Sequence, residues 1–304
     1  MRTLAASLLA LLILPLTGCR QAHSTTGPEI ERLKVAMEAV RPLHRLKGPA
    51  FEGDWLFSYP EPGQTFEQYL VSRPNLARTG RRILSVRPLG ELTPDQLRIV
   101  EITADYLERF FGLPSRVESH IPLDVPARAR RIQPAWNAEQ IHTGYLLGVL
   151  SRSLPLDTAA HIGLTASDLY PGPRMNFVFG QANLTQRVGV WSLYHFGEPD
   201  KSDHEFRTVL LRAMKVASHE TGHMFSLRHC TKYECVLNGS NSLGEMDARP
   251  LDVCPECMAK ICWATGRDPR KRYEALAAFS LRHGFQRERA YFEKSLRELQ
   301  RADL

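Results

Sequence analysis

An α/β fold, with a mixed sheet lying under one long helix, is what this sequence predicts. Three observations predict it. Apolar runs of strand length alternate with amphipathic helical stretches through residues 81–267. Near the end of the longest helical stretch stands His219-Glu220-Thr221-Gly222-His223, with His229 six residues on. Two close cysteine pairs then follow, Cys230 with Cys235 and Cys254 with Cys257.

In chain order, Pro28 to His44 has apolar residues at helical spacing and reads as a helix ended by Pro42. Residues 45–80 are rich in Gly, Pro and aromatics and read as an irregular wrapping segment with one short helix at Thr65–Ser72. Arg82–Leu89 reads as the first strand. Thr93-Pro94-Asp95 opens a helix to about Phe111. Arg116–Pro122 reads as a second strand, and Asn137 as the cap of a helix over Ala138–Leu154. His161–Thr165 is a short apolar strand, and Met175–Gly180 and Gly189–Phe196 read as two more. An edge strand among these can pair with an extended peptide. Asp203 to Leu227 is a helix with one apolar side, with Ser202 or Asp203 at its start. Pro269–His283 and Arg287–Ala302 read as two closing helices packed outside the site.

The chemistry is carried by HETGHMFSLRHC. Histidines four apart on a helix lie on one face, so His219 and His223 reach one metal ion. His229, beyond a turn, closes a His₃ set that leaves the fourth zinc position open. Glu220 stands beside the first ligand, where it can accept a proton from water. The bland alternative is a polar helix face with incidental histidines. The third histidine in place and the cysteines behind it argue against that. His142, His161, His195 and His204 lack metal-ligand spacing and read as surface or satisfied histidines.

Cys230-x₄-Cys235 and Cys254-x₂-Cys257 across a long loop match a closed, structural Cys₄ zinc pattern. Two disulfides are the alternative, because an exported location permits oxidation. Cys262 is left over as a buried thiol, a free thiol or an alternative ligand.

The chain begins Met-Arg-Thr, continues almost wholly apolar from Leu4 to Leu16, and reaches Leu16-Thr17-Gly18-Cys19. The apolar run is shorter than the roughly 20 residues of a membrane-spanning helix and reads as a secretory signal. Small residues directly against Cys19 read as a lipobox, so the expectation is cleavage before Cys19 and lipid attachment there. An ordinary signal peptide is the alternative. Among 304 residues, 39 are basic and 33 acidic, a formal +6. That weak excess is no evidence of nucleic-acid binding. The one dense basic stretch, Pro126–Arg131, reads as a solvated loop rather than a phosphate site.

HETGHMFSLRHC with CTKYEC, VLNGSN and RPLDVCPEC resembles the archaemetzincins, zinc peptidases of the metzincin clan. The resemblance runs over roughly residues 45 to 265 and takes in GDWLFSYPEPGQTFEQYLVSRP, ILSVRPLG and TASDLYPGP. It implies a metzincin-like catalytic domain with a cysteine-bound zinc subsite. It implies one catalytic Zn²⁺ on His219, His223 and His229, Glu220 as general base, and one structural Zn²⁺ on Cys230, Cys235, Cys254 and Cys257. Two positions depart from the family pattern. Ser226 stands where the family has a glycine that ends the helix in a left-handed residue, and Leu237 where it has a methionine beneath the metal.

The expected organisation is a signal peptide over 1–18, a tether over 19–28, the wrapping segment over 29–80, a peptidase domain over 81–267 and C-terminal helices over 268–304. The expected protein is an exported zinc metallopeptidase, monomeric, held to a membrane through Cys19 and acting on peptides or proteins. An outer-membrane or cell-surface place is expected rather than the cytoplasm. A catalytically weak, zinc-containing peptide-binding lipoprotein and a purely structural double-zinc module are the alternatives.

Overall fold

The computed structural model describes residues 27–77, 80–173 and 175–302. The signal segment, Cys19 and nearly all of the tether lie outside the described residues. The N-terminal part contributes α1 (Pro28–Val40), a single turn α2 (Trp55–Ser58) and α3 (Phe66–Val71). The sheet region follows with β1 (Ile83–Leu89), α4 (Pro94–Phe111), β2 (Ser115–Val117), β3 (Arg130–Gln133), β4 (Ala138–His142), α5 (Thr143–Arg152), β5 (Thr158–Thr165), β6 (Asp168–Tyr170), β7 (Gly180–Asn183) and β8 (Val188–Ser192). Then come α6 (Asp203–Met224), α7 (Leu243–Ala248), α8 (Pro255–Thr265), α9 (Pro269–Arg282) and α10 (Gln286–Arg301).

Five strands form the main sheet in the order β2-β1-β5-β8-β7. The first four run parallel and β7 pairs antiparallel to β8, which makes β7 an edge. Parallel strands need cover on both faces, and every residue of β5 and β8 is buried. α6 and α4 cover one face, where Val209, Ala213, Met214 and Ala217 of α6 enter the large core. α5 covers the other, where Leu146 and Leu150 meet Val188 and Val190.

Both long helices start as their sequences dictate. The Thr93 side chain accepts from the Gln96 N–H and Gln96 returns the bond, a reciprocal cap. The Ser202 hydroxyl accepts from the Glu205 N–H at 3.2 Å at the head of α6.

Two expected elements fail and two strands end early. No helix begins at Asn137. Residues Ala138–His142 form β4, which pairs antiparallel with β3, and the helix starts only at Thr143. Asn137 has φ 50° and supplies the left-handed turn of that hairpin, a conformation asparagine tolerates better than most residues. Met175–Phe179 is not a strand either. Its carbonyls are taken by side chains of the small β3-β4-β6 sheet: Arg131 Nη2 donates to Met175 (2.7 Å) and Asn176 (2.8 Å), and Gln140 Nε2 to Asn176 (2.8 Å). β2 ends at Val117, and β8 ends at Ser192 before a 3₁₀ turn over Tyr194–Phe196. In the Pro126–Arg131 cluster Arg128 and Arg130 are exposed, Arg130 pairing with Glu139 at the surface, and Arg131 lies over the Tyr170 ring at 4.1 Å. α7 and α8 are helices that periodicity did not single out, because they are short or built around cysteines.

Candidate metal centre

α6 delivers His219 and His223 on successive turns of one face. Its end then turns the chain back toward them. The Ser226 N–H bonds the His223 carbonyl at 2.8 Å and the Leu227 N–H reaches back to Gly222 at 3.1 Å. That pair of bonds defines a Schellman turn, which requires a left-handed residue at position 226. Ser226 has φ 67°. Its side chain accepts from the Asn75 N–H at 3.0 Å, so the wrapping segment holds the serine where glycine would leave a gap. The same segment caps the helix carbonyls: Tyr69 Oη donates to Phe225 (2.8 Å) and Asn75 Nδ2 to Met224 (3.0 Å).

The turn brings His229 against the pair. The ligating atoms of His219, His223 and His229 lie within 4.8 Å of one another, with the two helical Nε2 atoms 3.0 Å apart. Each imidazole has its Nδ1–H spent on a separate acceptor. His219 donates to the Val236 carbonyl (2.9 Å), His223 to the Leu227 carbonyl (2.6 Å) and His229 to Glu61 (2.8 Å). These partners fix the tautomers and aim three Nε2 lone pairs at one point. Burial, and next the neighbouring imidazoles, hold His219 well below the usual imidazole range, and His223 is brought down to about 4. Three imidazole nitrogens converging in a half-buried space repel unless a proton or a cation lies between them. The donor set and its converging geometry fit zinc.

Glu220 is buried beside His219. Burial pushes its carboxyl up to about 8, opposed by a bond from the Ala182 N–H of β7. A dication held on the three imidazoles pulls that value back down. Edge strand β7 approaches this carboxylate closely. A Cβ at Gly180 would lie 3.1 Å from Glu220 Oε1, so glycine there permits the approach. The site opens into a cleft of about 800 Å³ lined by Trp55, Phe177, Gly180, Lys215 and Arg228 among others.

The four cysteines also meet. Their sulfurs lie within 4.8 Å of one another, all buried, and Cys230 Sγ is 3.6 Å from Cys254 Sγ. A disulfide needs about 2.05 Å, and all four cysteines are free thiols. Cys235 Sγ accepts N–H bonds from Leu237 (3.4 Å) and Cys254 (3.2 Å). Thiolates accept such bonds, and four of them share a closed space when a cation neutralises them, so this set also fits zinc. Cys262 is not part of it. Its thiol is buried in the core, pushed up to about 12 by that burial, with its sulfur 3.8 Å from Met258 Sδ.

Leu237 lies between the two centres. A Cβ at Gly222 would stand 2.9 Å from Leu237 Cδ1, so the leucine packs directly under the helix turn that joins the two helical histidines. His195 is satisfied by the buried Asp168 at 2.9 Å, and His161 by Ser85 at 2.9 Å. Sequence reasoning missed Glu61, Asn75 and Asn238. The Asn238 amide ties Cys230 O (2.6 Å) to Tyr233 O (2.9 Å), while its Oδ1 accepts from the Cys235 N–H. No spacing rule marks these residues. Glu61 and Asn75 lie more than a hundred positions from their partners.

Residues 153–262 match Peptidase family M54. Archaemetzincin-2 of Rattus norvegicus is 33% identical over 273 aligned residues, taking in 79% of this chain and 76% of the relative. Archaemetzincin-2 of Homo sapiens shows the same identity and coverage. Among solved structures, an archaemetzincin from Methanopyrus kandleri superposes with a TM-score of 0.51 at 28% identity, over 62% of this chain and 97% of that one.

Proposed function

This chain belongs to the archaemetzincin family of zinc metallopeptidases, and on that premise we propose that His219, His223 and His229 hold the catalytic Zn²⁺ and that Glu220 is the general base. The observation that carries the assignment is the convergence of three imidazoles whose Nδ1–H groups are each occupied elsewhere. Bound zinc supplies Lewis acidity, which makes water a nucleophile near neutral pH and polarises a scissile carbonyl.

The chain's own residues do the rest. The three imidazoles stay neutral and fixed in orientation. Glu220 takes the proton of the attacking water on a carboxylate oxygen and passes it to the leaving amine. β7, the sheet edge beside Glu220, offers main-chain groups to an extended peptide. We assign a second, structural Zn²⁺ to Cys230, Cys235, Cys254 and Cys257, giving two ions per chain. Ser226 and Leu237 leave this arrangement intact, because Ser226 adopts the left-handed turn and Leu237 fills the space under Gly222.

Export and a lipid anchor at Cys19 rest on the sequence Leu16-Thr17-Gly18-Cys19 after an apolar run. More than one acyl chain suffices for stable attachment. The protein then acts at an outer membrane or cell surface as a monomer. Fractionation of wild type against Cys19→Ala, with mass analysis of the N-terminal peptide, tests this. A wild-type protein that stays soluble with residues 1–18 attached overturns it.

The peptidase assignment is tested with a broad peptide library and the Glu220→Ala variant. The variant is expected to keep fold and two zinc ions while turnover falls by at least roughly 10²–10⁴-fold. Wild-type turnover in Glu220→Ala overturns the role of Glu220.

A further inference from the structure

Lys215 lies four residues before His219, and His219 four before His223, so all three stand on one face of α6. Lys215 lines the cleft and is half-buried. Its Nζ donates to the carbonyls of Met246 (3.2 Å) and Asp247 (2.8 Å) at the end of α7. Those bonds fix where the ammonium sits and leave its third N–H and its charge unmatched. The nearby Asp247 carboxylate is taken by Arg212, at 2.5 and 3.0 Å. Among the described residues Lys215 forms no ion pair.

Of the other charges of the cleft wall, Arg228 is exposed and forms no ion pair among the described residues, and the rest are committed. Arg249 is bound by Glu234 and Glu245, Glu61 by His229, and Glu220 stands at the reacting centre. A half-buried ammonium without a carboxylate is costly. Burial lowers its pKa to about 8, which reports the same deficit.

We propose that Lys215 is a specificity-determining residue of this cleft, recognising a carboxylate on the substrate one or two residues from the scissile bond. The distance follows from the helix. Four residues rise about 6 Å, which an extended peptide covers in roughly two residues. The carboxylate is an Asp or Glu side chain or a free C-terminus. The proposal rests on the peptidase reading and deepens it.

The test is a peptide series carrying Glu, Gln or Leu at each of two positions either side of the cleaved bond, each peptide with a free or an amidated C-terminus. Wild type is expected to favour one carboxylate form by roughly 10- to 100-fold in kcat/KM, the strength of a charged hydrogen bond. A Glu-over-Gln preference that survives amidation identifies a side chain. A free-over-amidated preference identifies the terminus. Lys215→Met should collapse the ratio toward one. Lys215→Gln keeps N–H donors for the two α7 carbonyls and should collapse it as well, which separates charge recognition from capping of α7.

The same ratio is read without turnover, as Kd values for zinc-loaded Glu220→Gln against Glu220→Gln/Lys215→Gln. A carboxylate preference in these Kd values with no cleavage by wild type would overturn the peptidase reading alone. Equal handling of acid and amide by wild type, or a preference that survives both Lys215 substitutions, overturns the role of Lys215.

Discussion

The carbonyl of Val236 accepts the Nδ1–H of His219 at 2.9 Å, one residue beyond Cys235. The histidine set and the cysteine set are therefore mechanically one object. Cys235 fixes the turn, Asn238 closes it, Leu237 packs under Gly222, and the Val236 carbonyl orients the first imidazole. Breaking the cysteine cluster releases the acceptor that aims His219. Cys254→Ser is expected to lose the structural ion and also to weaken zinc at the histidines by about 10- to 100-fold, the usual effect of losing such an outer partner. Metal analysis combined with chelator competition checks this. Unchanged histidine-site affinity in a folded Cys254→Ser protein would show the two centres to be independent.

Glu61 plays the same part for His229, and it comes from the wrapping segment. Its carboxylate receives the His229 Nδ1–H at 2.8 Å and the Trp55 indole N–H at 3.2 Å. Glu61→Ala is expected to lower affinity for the catalytic zinc by about 10- to 100-fold while leaving the cysteine site loaded. Zinc competition with a chromophoric chelator reads both sites in one titration. A loss confined to the cysteine site would contradict the contact.

Elements with a strong local period were legible in the sequence. α1, α4, α6, α9 and α10 fall within a few residues of their expected bounds. That His219 and His223 share one face was legible too, because a helix makes spacing equivalent to direction. What was not legible depends on distant partners. Ala138–His142 has the composition of a helix start and becomes a strand because β3 and β6 lie on either side of it. Phe177 and Phe179 sit in a stretch rich enough in apolar residues to read as a strand, yet Arg131, Gln133 and Gln140 claim the carbonyls before them. Glu61 carries no signal of its own. Its role appears only when the wrapping segment is folded against His229.

His161 makes acid sensitivity predictable. It is buried in β5, where the Ser85 hydroxyl donates to Glu118 at 2.9 Å and so accepts from His161 Nδ1 at 2.9 Å. Burial, and next Arg87, bring this imidazole down to about 4 from the usual 6.5. The unfolded chain therefore binds a proton that the folded chain refuses. The stabilisation is complete above about pH 6.5 and is lost as pH falls toward 4, by roughly 3 kcal/mol in total. Urea denaturation of zinc-loaded protein at pH 7 and pH 5 is expected to show a smaller acid loss for His161→Asn than for wild type. Identical losses in the two proteins would assign the acid limb to other groups.

Ser226 tests how a strained turn is stabilised. The family's glycine at this turn would make Ser226→Gly neutral or stabilising by up to about 1 kcal/mol, since a side chain in a left-handed residue costs about 1–2 kcal/mol. The structure changes the balance. The Ser226 hydroxyl accepts the Asn75 N–H at 3.0 Å, and glycine would leave that donor in a partly buried place without its partner. Losing the bond costs about 1 kcal/mol or more, and the looser unfolded chain costs up to about 1 kcal/mol further. Relief of strain is cancelled, so Ser226→Gly should fall within about 1 kcal/mol of wild type on either side. Ser226→Ala keeps the strain and loses the bond, so it should be destabilised by about 1–2 kcal/mol. It should also loosen the Leu227 carbonyl that holds His223. Denaturant melts of the zinc-loaded proteins give the order directly. If Ser226→Ala proved as stable as wild type, the hydroxyl would contribute nothing. The left-handed turn would then be held by Tyr69 and Asn75 acting on the helix carbonyls alone.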